Sequence, residues 1–114
     1  MKEDLSVPRE FEEFSNTFFK KKAITQREFV ELCLLAAKLI DTNWDKRQGI
    51  AYNVTGAWLY YKNIDKDDLL DEIGAECGSL ELPDQYIAAT EKEVRKKWQK
   101  LKDLIKEADE KFPN

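Results

Sequence analysis

Apolar residues recur along this chain at intervals of three and four. Phe11, Phe14 and Phe18 fall on one helical face ahead of the basic run Lys20-Lys21-Lys22, which reads as a helix end. Ser6-Val7-Pro8 before them offers a cap followed by a first-turn proline, whose fixed φ and missing N–H suit that place. Thr25-Gln26-Arg27-Glu28 is a capping box: the threonine oxygen can accept from the Glu28 amide while the Glu28 carboxylate reaches back to the threonine amide. A second helix is predicted to start there. Positions 29–40 are nearly all apolar, with Cys33, Leu34, Leu35, Ala36, Ala37 and Leu39 among them, a pattern for a central helix with little face left for water.

Residues 44–61 fit two periods. Ile50, Val54, Ala57 and Tyr61 suit a helix, whereas Tyr52, Val54, Trp58 and Tyr60 suit a strand, and the length of the segment favours the helix. Gly49 and Gly56 weaken such a helix and are expected to mark its start and a close contact with a neighbour. Asp65 is expected to cap a short acidic helix with Leu69, Leu70 and Ile73 inward and Gly74 or Gly78 near its end, and residues 79–83 form the longest predicted connection. Thr90-Glu91-Lys92-Glu93 is a second capping box, followed by the stripe Val94, Trp98, Leu101, Ile105, Ala108 and Phe112 and closed by Pro113. Glu91 with Arg95, Glu93 with Lys97 and Glu107 with Lys111 add favourable four-residue pairs.

These elements predict an all-α protein, a compact bundle of four to five helices forming a single domain over residues 1–114. Composition supports this: only 4 Gly and 3 Pro are too few for the many turns of a β-sandwich. Cys33 and Cys77 lie far apart and in no metal or redox spacing, so buried thiols are expected. No apolar leader core and no apolar run of about 20 residues is present, which makes the cytoplasm the expected compartment. The chain has no histidine, which removes the usual general base and every His-dependent triad or zinc site, and it has no glycine-rich phosphate loop. Neither catalysis nor a cofactor is expected.

Charge narrows the choice further. Asp65, Asp67, Asp68, Asp71, Glu72 and Glu76 crowd a stretch holding one lysine, with Glu81 and Asp84 following. Asp65, Asp67, Asp71 and Glu76 match positions of a calcium loop, but Leu69 and Leu70 stand where that loop needs a ligand and its bend-forming glycine, so no metal is expected. As a surface patch the run would attract a basic protein partner. Trp58 and Tyr61, from the aromatic-rich middle segment, are the expected interface anchors beside it. Two rival readings stand next to this one. The first is self-association through the aromatic segment or the last helix; the second is phosphate contact by Arg95, Lys96, Lys97, Lys100 and Lys102, disfavoured by the net charge of -4 and by the place of Trp98 on the apolar stripe.

The run Phe18-Phe19-Lys20-Lys21-Lys22-Ala23-Ile24-Thr25-Gln26-Arg27-Glu28-Phe29-Val30-Glu31 resembles the opening of colicin D-type immunity proteins. There an apolar helix, a short basic turn and an Ile-Thr-x-x-Glu-Phe start lead into the second helix. The resemblance implies a small, acidic, helical inhibitor that covers the basic active site of a toxic nuclease domain.

Overall fold

The capping box at Thr25 forms with both of its hydrogen bonds. The Glu28 amide donates to Thr25 Oγ1 at 3.1 Å, and the Thr25 amide donates to the Glu28 carboxylate at 2.9 Å. From this start the computed structural model, which describes residues 6–64, 66–80 and 90–113, builds an all-α architecture of five α-helices. They are α1 (Arg9–Phe18), α2 (Gln26–Thr42), α3 (Arg47–Tyr60), α4 (Asp68–Leu80) and α5 (Glu91–Lys111); 3-10 turns at Trp44–Lys46 and Lys62–Ile64 flank α3. Residues 44–61 are therefore helical in the main, as their length suggested.

Neighbouring helices close a ring, α2 on α3, α3 on α4, α4 on α5 and α5 back on α2, while α1 lies against α2. One continuous apolar core runs through all five, from Phe11 and Phe18 through Phe29, Ile50 and Ile73 to Leu101. Fully burying side chains of this size stabilises the fold by about 1.5–3 kcal/mol each before entropy is counted. Ser15 is buried with it, and its hydroxyl donates to Asn53 on α3 at 3.2 Å. Arg27 fastens the first turn of α2 to the end of α5. Its guanidinium donates to the Asp109 carboxylate at 2.6 Å and to the Phe112 carbonyl at 3.0 Å, placing a cation at the negative end of the α5 dipole.

Several local expectations are corrected. Pro8, not Ser6, occupies the cap position of α1 and makes no side-chain cap bond; the Ser6 hydroxyl instead accepts from Lys46 at 2.6 Å. The cap bond of α4 comes from Asp67, whose carboxylate accepts from the Leu70 amide at 3.0 Å; Asp65 lies outside the described residues. Helix α4 runs through both Gly74 and Gly78 to Leu80, so the predicted connection begins later than residue 79, and its remainder, with Glu81 and Asp84, lies outside the described residues. At Thr90 the Glu93 amide donates to the threonine oxygen at 3.2 Å. Leu34 and Leu35 are only half-buried, so α2 is not covered on every side.

Candidate functional site

The acidic run becomes α4, and helix geometry distributes its carboxylates among three environments. Asp67 is half-buried at the helix start, where it accepts from the Leu70 amide and pairs with Lys111 at 2.8 Å. Burial pushes its carboxyl up, but the Lys111 ammonium and the Leu70 and Leu69 amides outweigh that and hold it below the usual carboxylate range. Asp71 accepts from the Trp58 indole N–H at 3.0 Å. Glu76 pairs with Lys100 of α5 at 3.3 Å. Asp68 and Glu72, one turn apart, face solvent. Asp71 and Glu76 are five residues apart on one helix, hence about 140° apart around its axis, which is not the wrapping arrangement of a calcium loop.

The basic stretch of α5 meets this acidity at one point and is otherwise answered by carboxylates of α2 and of α5 itself. Lys100 meets Glu76, Lys102 meets Asp41 at 3.3 Å, and Arg95 pairs with Glu91 at 3.3 Å while stacking 4.2 Å over the Trp44 ring. Trp98 is buried and its indole donates to Asp41 at 2.8 Å, so it offers no face to a nucleobase. Lys96 and Lys97 are the exposed remainder.

The two aromatic anchors read from the sequence fare differently. Trp58 is half-buried, lying against Gly74 of α4 and bonded to Asp71, so it joins α3 to the acidic helix. Tyr61 is 2% exposed and is corrected from an interface anchor to a core residue. Its hydroxyl donates to the Phe18 and Lys21 carbonyls, 2.8 and 2.9 Å away, tying the α1–α2 turn to the end of α3. The reason is helical spacing: Tyr61 lies four residues beyond Ala57 and seven beyond Val54, so the rotation of α3 carries it to the same buried side as those two.

Sequence reasoning missed the residues that do face outward. Tyr52, Leu59 and Tyr60 are exposed by 54%, 62% and 61% on the outer side of α3. Tyr60 is not loose, because its ring meets Tyr61 edge-on at 4.7 Å and Phe19 at 6.1 Å. Helix α3 has one charged residue, Arg47 at its first position, in a chain that is 37% charged. That absence of charge was the available signal. Gly56 lies among these residues, and a Cβ built there meets nothing within 4 Å, so it leaves a shallow gap rather than the tight contact expected of it.

No protein-family model, curated protein or solved structure matches this chain. Residues 18–31, from which the resemblance to colicin D-type immunity proteins is read, form the end of α1, the turn and the first turns of α2. No described helix is long and apolar enough to cross a membrane.

Proposed function

We propose that this chain is a small acidic binding protein, an immunity-type inhibitor that neutralises a basic toxin or nuclease domain by covering its active cleft. The observation that carries the reading is the outer face of α3: three exposed large apolar side chains on a helix without a charge beyond its first residue, coupled through Trp58 to the helix bearing Asp68 and Glu72. Interfaces of specific complexes combine these parts, an aromatic and aliphatic centre that determines residence time and a charged margin that steers encounter. Tyr60, already held by two ring contacts, loses little freedom on binding. The resemblance at residues 18–31 agrees with this role, and so does the net charge of -4.

The test is co-expression with the product of the neighbouring upstream gene, followed by binding kinetics on the purified pair. Rescue from that protein's toxicity is expected. Asp68→Asn with Glu72→Asn should lower the association rate and flatten its salt dependence, while Leu59→Ala with Tyr60→Ala should act mainly on dissociation. Normal rates in both double variants would overturn the assigned surface.

Self-association through the same face is the second reading. An uncharged helix face lets two copies of an acidic chain meet without like-charge repulsion at the contact. Sedimentation equilibrium separates the readings: a dimer dispersed by Leu59→Glu supports this one, and a monomer at high concentration removes it.

A further inference from the structure

A second surface lies where α1 meets α2. Glu10, Glu13 and Phe14 fall at helical spacing on one face of α1, and Glu31, Leu34 and Leu35 do so on one face of α2; together with Arg27 they line an open groove of about 590 Å³. That is room for several side chains rather than one. Phe14 is 37% exposed, and Leu34 and Leu35 are half-buried, which accounts for the surplus of apolar residues on α2 that a core-facing helix does not need.

We propose that this groove receives a basic, amphipathic helical segment of a partner protein, its apolar face on Phe14, Leu34 and Leu35 and its cations against Glu10, Glu13 and Glu31. Charge complementarity selects this occupant. The single cation of the lining, Arg27, is already answered by Asp109 at 2.6 Å, leaving three carboxylates around an apolar floor. Glu13 meets Arg9 and Glu10 meets Lys38 at 4.0 Å, but both pairs are solvent-exposed, and exposed pairs are worth little, so an incoming cation can replace them. Glu31 has no ion pair among the described residues. Two helix faces with a trough between them are the usual seat of a third helix read through anchors three and four residues apart.

The groove shares no residue with the α3–α4 surface, so either assignment can fail alone. The probe is a synthetic leucine–lysine peptide of roughly four helical turns with its leucines on one face, set against a scrambled peptide of the same composition, and followed by amide chemical shifts of the whole protein. The expected result is shifts centred on Phe14, Glu31, Leu34 and Leu35. Affinity should fall roughly tenfold or more in Glu10→Gln/Glu13→Gln/Glu31→Gln and stay within about a factor of two in Asp68→Asn/Glu72→Asn. Equal binding of the scrambled peptide, equal weakening by both sets of substitutions, or no binding overturns the proposal. Groove shifts that follow protein concentration without peptide assign the site to a second copy and overturn it as well.

Discussion

At Gly74 a contact, not helix propensity, governs the residue. A Cβ there would meet the Trp58 ring carbons at 2.3, 2.5 and 2.8 Å, inside any real packing distance. At Gly56 and Gly78 the same atom meets nothing within 4 Å. Alanine in a helix interior gains about 1 kcal/mol over glycine, and overpacking costs about 1–3 kcal/mol, so the two effects compete at Gly74 and only the gain applies at Gly56. Gly74→Ala is expected to lower the urea midpoint and, by displacing the indole from Asp71, to alter tryptophan emission. Gly56→Ala should raise the midpoint, corresponding to about 0.5–1 kcal/mol. A midpoint raised equally by both would mean that Trp58 does not rest on Gly74. From the sequence, Gly56 was the expected close contact, because glycine within a helical pattern signals a tolerated gap but not what stands opposite. Tyr61 was misplaced for a different reason: its spacing from Ile50, Val54 and Ala57 already set it on the buried face, and the crowding of aromatic residues around it was read in place of that spacing.

Among the elements, those specified by neighbours in sequence were legible. The Thr25 box, the stripe of α5 and the helical choice for residues 44–61 depend on spacing within one segment, and spacing is what a sequence displays. The charges were legible only as runs. Read separately, α4 offers an acidic patch and α5 a basic one; in the fold Glu76 takes Lys100 and Asp67 takes Lys111, so Lys111 reaches across to the start of another helix instead of back to Glu107 on its own. This cross-pairing makes a pH prediction. The Asp67 carboxyl is held below its ordinary value by Lys111 and the α4 amides despite the opposing push of burial, so it binds its proton less readily folded than unfolded. Its stabilising contribution is complete above the unfolded value of about 4 and is lost as pH falls through the lower folded value. Asp67→Asn should therefore be less stable than the native chain at neutral pH, with the gap closing below about pH 4. Parallel thermal melts from pH 7 to 2.5 check this, and a gap independent of pH would show that the loss comes from packing rather than from the ionised carboxylate.

At the scale of the molecule, one core spans all five helices, and the two cysteines report on it from different helices. Cys33 lies on α2 and Cys77 on α4, both buried and both reduced. Burial, with the neighbouring Cys77 adding to it, pushes the Cys33 thiol well above its ordinary value, so in the native state it stays protonated and unreactive at mildly alkaline pH. Labelling by a thiol reagent must then wait for opening. If the ring of α2, α3, α4 and α5 is one cooperative unit, no local opening exposes α4 without also dissolving the surface of α3 and α5 on which it depends. Both thiols are then expected to react in a single phase whose rate follows the global stability. The Gly74→Ala change should accelerate both by the same factor, roughly tenfold for each 1.4 kcal/mol lost. Faster reaction of Cys77 alone would mean that α4 opens by itself. The acidic helix would then be a detachable flap rather than a rigid wall, and a surface built from α3 and α4 could not keep Asp68 and Glu72 in fixed register with Leu59 and Tyr60.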